Sequence, residues 1–233
     1  MTDQTTIKND FINAIAKAIA DFNMIDSEDA ILVAVSGGPD SVSLVLSLLA
    51  LQKKHTIKIG IAHLNHRLRG EESIRDESFV KEFADKLNLP FFCEQKDVKA
   101  YAKKNRRSIE ESGRMARYHF FKRIAKSHGY SKIATGHTKG DNAELVMMNL
   151  LRGSGPKGLS GIPPIRDKKY IRPLIQVSKN QILDFLKNEN QDFVFDSSNR
   201  DMKYLRNKVR NQLIPHLQSE YNPEFIDALD RLS

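Results

Sequence analysis

The 233-residue sequence predicts an α/β fold, a doubly wound and mostly parallel five-stranded sheet flanked by helices, with a short helical C-terminal extension. Two observations carry this expectation. From residue 30 to about 151, short apolar runs alternate with segments of helical periodicity, the order that builds a parallel sheet covered on both faces. The first run, Ala-Ile-Leu-Val-Ala-Val at 30–35, is continuously apolar, as a strand buried on both sides must be.

The elements follow in order. Residues 5–23 place Ile7, Phe11, Ile15, Ala18, Ile19 and Phe22 at a helical period. After the strand at 30–35 and a glycine turn, 41–51 reads as a helix. Residues 57–62 form a second strand, 74–87 a helix, 90–93 a third strand, 97–104 and 108–128 two helices, 132–135 a fourth strand, and 141–151 a helix. The stretch 152–164 carries four glycines and three prolines and reads as a long loop. Ser178 can cap a helix over 181–187, a basic helix spans about 203–218, and Asn222-Pro223 starts a last helix that shows no evident partner. The expected division is a catalytic domain over 1–200 and a helical extension over 201–233, the start of a truncated linker or further domain.

Hydrophobic residues make up 40% and charged residues 28%, ordinary for a globular protein. No apolar run approaches the ~18 residues a membrane span needs, and no signal peptide is evident, so the expected compartment is the cytoplasm. The lone Cys93 excludes an internal disulfide and a multi-cysteine metal site. The net charge of +8 is unevenly spread. Residues 99–132 hold eleven Lys/Arg against two acidic residues, and 166–210 hold eleven against six. One such cluster reads equally as a solvated helix face; two point to a polyanion such as nucleic acid.

The strongest local signal is Ser36-Gly37-Gly38-Pro39-Asp40-Ser41 between the first strand and its helix. Adjacent glycines let the backbone turn sharply and bring amide N–H groups to an anion, and the helix aims its positive end at the same spot. Ser36 and Ser41 add hydroxyls. Asp40 would repel phosphate unless a cation lies between, which implies Mg²⁺. The loop is neither a Walker A sequence nor a dinucleotide fingerprint. An Asp-capped turn without ligand is the bland alternative.

Four further constellations stand out. His63-Leu64-Asn65-His66-Arg67 leaves the end of the second strand, where open parallel sheets bind ligands, placing His63 and Asn65 near a nucleotide. Its His-x-x-His spacing lacks a third metal ligand nearby. Arg114 and Arg117 share a helix face suited to gripping a phosphate, unless Arg114 simply pairs locally with Glu110 or Glu111. Gly136-His137 leads into Asp141 and Glu144, two carboxylates on one face at a helix start. They read either as a cap or as a pocket for a cationic substrate group, with His137 handling protons. Arg206 and Arg210 share a face of the basic helix.

The loop matches the PP-loop ATP-pyrophosphatase superfamily. Its order of motifs, S-G-G-P-D-S, H-L-N-H-x-L-R, E-x-x-x-R-x-x-R-Y, T-G-H-x-x-x-D-N-x-E, L-L-R-G-S-G, R-P-L, D-S-S-N and R-N-x-x-R, closely resembles the bacterial tRNA(Ile)-lysidine synthetase family from about residue 30 to 215. Leu145 stands where that family usually has Thr. The resemblance implies an adenine-nucleotide alpha-hydrolase-like PP-loop fold and a carbon–nitrogen ligase. ATP would adenylate the wobble cytidine of CAU-anticodon tRNA(Ile). Free L-lysine would then displace AMP, pyrophosphate having left, and a homodimer is suggested.

It implies roles as well. Ser36, Gly37, Gly38, Pro39, Ser41 and His63 would hold ATP, and Asp40 would hold Mg²⁺. Arg114 and Arg117 would stabilise charge at the α-phosphate or position the tRNA, while Asp141 and Glu144 bind lysine. His137 or Asp141 would take its proton, and Asn65, Arg67, Arg206 and Arg210 would contact substrate. The competing readings are a PP-loop tRNA thiolase, which a single cysteine does not equip, and a non-catalytic RNA-binding PP-loop protein.

Overall fold

The computed structural model describes residues 4–195 and 202–232. Strands β1 (Ala30–Ala34), β2 (Lys58–Asn65), β3 (Phe91–Gln95), β4 (Lys132–Ala134), β5 (Ile165–Arg166) and β6 (Tyr170–Ile171) form one sheet in the order β3-β2-β1-β4-β6-β5. All pairings are parallel except β5 with β6. The sheet therefore has six strands, one more than expected. Four match the strands located in the sequence; the other two form a hairpin of two-residue strands, too short to show a period. Its turn places Asp167 and Lys168 in the left-handed region at φ +55° and +53°, the conformation that matches hairpin twist.

Helices α1 (Gln4–Asp21), α2 (Pro39–His55), α3 (Glu71–Lys86), α4 (Val98–Asn105), α5 (Ile109–Ser127), α6 (Lys139–Leu151), α7 (Pro156–Leu159) and α8 (Lys179–Asn188) intersperse with the strands. The one-turn α7 falls inside the expected loop. The alternation of β1 divides the core. Ile31 and Val33 pack with Phe11 and Ile15 of α1, Leu44 and Leu48 of α2 and Phe185 of α8. Leu32 faces the other way, toward Phe120, Phe121 and Ala125 of α5. Both faces of the sheet are thus covered, which is why β1 is apolar throughout. Among the described residues, no helix is long and apolar enough to cross a membrane.

The expected basic helix over 203–218 is three pieces: α9 (Leu205–Lys208), a π-helical turn (Val209–Leu213) and α10 (Ile214–Glu220). Pro215 has no N–H to give the ladder, and the chain shifts register ahead of it, Ile214 N–H reaching the Val209 carbonyl. The last helix, α11 (Phe225–Leu232), does have a partner. Leu229 packs with Ala143, Val146 and Met147 of α6 and with Val209 and Ile214. Lys139 Nζ also donates to Asp227 at 2.6 Å. The sequence of α11 alone could not show that α6 offers a second apolar side.

Candidate functional site

The glycine loop leaves β1 through Val35, whose N–H donates to Ala62. Gly37 sits at φ +90°, with the side chains of Phe79, Val80 and Val194 all 3.4 Å from where a Cβ would stand. Glycine is required there by backbone conformation. Ser41 Oγ binds the loop on itself: it accepts from Ser36 N–H at 3.2 Å and donates to the Gly38 carbonyl at 2.9 Å. Gly38 caps α2 and Pro39 opens it, so the helix's positive end faces the cradle. Val194 N–H donates to the Gly37 carbonyl at 2.9 Å, tying the segment after α8 to the loop.

Asp40 lies in the first turn of α2 and accepts from Lys179 Nζ at 2.6 Å. Burial raises its carboxyl above the usual range, an effect Lys179 opposes and neighbouring Asp141 reinforces. Lys179 is a residue of the candidate site that sequence reasoning missed. Its only local signal is its place after the Ser178 cap of α8.

The second loop, 135–138, leaves β4 and presses against the first. A Cβ on Gly136 would stand 3.2 Å from the backbone C and O of Asp40. Gly136→Ala is expected to lower the melting temperature by roughly 3–8 °C, the effect of 1–3 kcal/mol of overpacking. A thermal melt checks it.

Thr138 and Asp141 form a capping box at the start of α6, the Thr138 N–H and hydroxyl both donating to Asp141 Oδ2 at 2.9 and 3.0 Å. The other oxygen, Oδ1, accepts from Arg206 Nη2 at 2.6 Å and Arg210 Nη2 at 3.0 Å. Glu144, with a side chain 5% exposed, accepts from Arg206 Nε at 2.7 Å and from both Nε and Nη2 of Arg210. The two readings of Asp141 and Glu144 are therefore not exclusive. Asp141 is a cap, and both carboxylates also face cations. Burial would raise Asp141, but Arg206, His137, Thr138 N–H and Arg210 hold it below the usual carboxylate range.

His137 shares its Nδ1 with the Thr135 hydroxyl at 2.9 Å. Burial depresses its pKa, Asp141 opposes that, and Arg172, Arg206 and Arg114 add to it, so the ring is neutral at pH 7. Arg172, buried at 3% exposure and donating to the Pro163 carbonyl, is a second neighbour not anticipated as a site residue.

His63 and Asn65 lie within β2 itself, which runs three residues further than expected because Leu64 and Asn65 pair with Glu94 and Gln95. His63 Nδ1 donates to the Val35 carbonyl at 2.8 Å, at the root of the phosphate loop. Burial keeps its pKa low. Asn65 is turned inward. Its amide donates to the Ser73 carbonyl and Glu77, and its oxygen accepts from Arg67 N–H at 2.9 Å. Arg67 is exposed at φ +53°. The guanidinium of Arg114 lies 5.2 Å from the Tyr118 ring centre, while Glu111 pairs with Arg107 at 2.8 Å. Arg117 lies near enough to His66 to help burial push that ring down to about 4. The Asp196–Asn199 motif and Arg200 fall outside the described residues.

The first loop fits the triphosphate end of a nucleotide: a left-handed glycine, two hydroxyls, a helix N-terminus and an ammonium meet at one place. For Mg²⁺ the fit is a carboxylate beside the cradle rather than a cage. Among the described residues no group of three His, Cys, Asp or Glu side chains could hold a metal, and Mg²⁺ commonly uses one or two carboxylates with substrate phosphates.

Comparisons with known proteins show the family and the fold. The PP-loop domain family matches residues 7–217. A tRNA(Ile)-lysidine synthase from Clostridium acetobutylicum is 41% identical over 224 residues, covering 96% of this chain and 48% of its own length. One from Petrotoga mobilis is 38% identical over 227 residues, covering 97% of this chain and 72% of its own. The chain thus spans about half the length of the first of these relatives. Among solved structures, the U34-tRNA thiolase NcsA from Methanococcus maripaludis superposes with a TM-score of 0.76 at 16% identity, covering 98% of this chain and 79% of that one, a likeness of fold.

Proposed function

We propose, from the premise that this chain belongs to the PP-loop domain family and within it to the tRNA(Ile)-lysidine synthases, that it adenylates the wobble cytidine of CAU-anticodon tRNA(Ile) and joins lysine to it. The observation that carries this reading is the meeting of two sites. A phosphate cradle at Ser36–Ser41 abuts, through Gly136, a cluster of two carboxylates and two guanidiniums. ATP in the cradle and an amino acid at the cluster would then share one reaction volume.

In the first half-reaction the cytidine's ring-position-two oxygen attacks the α-phosphorus of ATP and pyrophosphate leaves. Loop amides, Ser36, Ser41 and Lys179 hold the departing phosphates, and His63 braces the loop's root. Mg²⁺ accompanying ATP would be held by Asp40 and would lower the charge on the leaving group. Arg114 and Arg117 stabilise charge at the α-phosphate. In the second half-reaction lysine's side-chain amine attacks the activated carbon and AMP leaves. Zwitterionic lysine matches the cluster in charge: its α-ammonium takes the place of one guanidinium on Asp141 and Glu144, and the freed Arg206 or Arg210 receives its carboxylate.

The attacking amine must first lose a proton, since at its reference pKa of about 10.4 only about one molecule in a few thousand is neutral at pH 7. Asp141 already accepts four hydrogen bonds and its pKa is depressed, so His137, a neutral ring, is the better acceptor. The depressed pKa of His137 makes its protonated form short-lived, and the proton passes on to solvent. Single-turnover lysine transfer is therefore expected to rise nearly tenfold per pH unit between about pH 7 and 9, without a loss near pH 6.5 from His137 titration. A flat profile across that range counts against amine deprotonation before attack. The reading as a whole is tested by incubating the protein with ATP, labelled lysine and a CAU-anticodon transcript. Label in the RNA with AMP formed supports it, and ADP as product refutes the loop's role.

A further inference from the structure

We infer that the groove between α5 and the β5–β6 hairpin is a track for the tRNA strand flanking the reactive cytidine. The inference rests on the tRNA reading above and deepens it. The groove is an open cleft of about 760 Å³ whose walls carry Arg114, Tyr118 and Lys122 from α5 and Arg166, Lys169 and Tyr170 from the hairpin. Its two acidic residues are already engaged: Glu111 accepts from Arg107, and Asp167 lies 3.5 Å from Arg166. What remains toward solvent is cationic.

One end of the groove lies within electrostatic range of the proposed reaction centre. Arg114 and Arg172 are near enough to lower the pKa of His137, and both Arg114 and Arg166 lie against the ring of Tyr118. From Arg114 to Lys122 the helix rises about 12 Å, the length of a few nucleotides. Midway, the Arg166 guanidinium lies against two tyrosines, 4.4 Å from the Tyr118 ring centre and 4.7 Å from that of Tyr170, the two rings meeting edge to face at 74°.

Lysines at the rim, with the half-buried Tyr118 ring and the Arg166 guanidinium between them, suit single-stranded RNA, whose phosphates meet the cations and whose bases stack on aromatic rings. An acidic protein surface would use the lysines but leave the Tyr118 ring on the wall of the cleft without a role.

The test is Lys122→Gln with Lys169→Gln, which keeps most of each side chain's apolar length while removing two charges far from Asp40 and Glu144. Binding of a CAU-anticodon tRNA transcript is measured by filter retention across a series of salt concentrations, and ATP binding alongside. The track predicts a Kd about tenfold weaker at low salt and a log–log salt slope shallower by about 1.5, the release of counterions from two phosphates. ATP affinity stays at the wild-type value. Wild-type Kd and slope in the double variant overturn the track while leaving the proposed function standing. Failure of the unaltered protein to bind the transcript overturns both.

Discussion

Glu144→Gln is expected to reduce lysine transfer at least about a hundredfold while tRNA-dependent ATP–pyrophosphate exchange changes by less than about tenfold. Glu144 is the most enclosed acid of the cluster and accepts from three N–H groups of Arg206 and Arg210. A neutral amide keeps the shape, but it turns one N–H₂ toward guanidiniums that can only donate. Two cations then face one remaining carboxylate. Arg206 and Arg210 are 41% and 36% exposed, so solvent screens part of that imbalance, and the stability loss is expected to be only about 1–2 kcal/mol.

Structure and chemistry are separated by a double variant. Glu144→Gln with Arg210→Met removes both the acid and one of its cations, and is expected to recover most of the lost stability. Lysine transfer stays low, because the proposed site for the ammonium is still incomplete. Recovery of both together would make Glu144 a structural ion-pair partner and no more. Coupling measured by this cycle is meaningful because the two residues are in direct contact.

Much of the frame was legible because it rests on short-range rules. The continuous apolar run of β1, the glycine pair after it and the Ser178 cap each announce a local geometry that the structure shows. The hairpin was not, since strands of two residues have no periodicity to detect and Asp-Lys-Lys is an unusual turn for it. The assembly of the site was legible only in pieces. Asp141 and Arg206 stand out separately, but a sequence carries no distance across the 65 positions between them. Lys179 is 139 positions from Asp40 and precedes nothing distinctive. The π-helical turn is likewise a compromise between Pro215 and the packing of Val209 and Ile214 on α6. Helical periodicity predicts one continuous helix there.

Lys179 also sharpens the second large effect. Asp40→Asn is expected to depress adenylation by about a thousandfold or more, the range for removing charge stabilisation at a reacting phosphate, while tRNA binding stays within about twofold. Asp40 now accepts from Lys179, and the pair is half open to water, with side chains 32% and 50% exposed. Breaking such a pair alters stability by only about 0–1 kcal/mol, so the melting temperature should barely move and a catalytic loss cannot be blamed on unfolding. The lysine and the metal have different signatures. If Asp40 chiefly orients Lys179, then Lys179→Met should match Asp40→Asn in rate and leave the Mg²⁺ dependence of turnover alone. If Asp40 holds Mg²⁺ against the β- and γ-phosphates, Asp40→Asn raises the Mg²⁺ concentration needed for half-maximal turnover, whereas Lys179→Met mainly raises the KM for ATP. The second pattern is the expected one, because Lys179 is a point charge at the edge of the cradle and Asp40 stands in the first turn of the helix that forms it. An Asp40→Asn protein with wild-type Mg²⁺ dependence would remove the metal from the proposed role of this carboxylate.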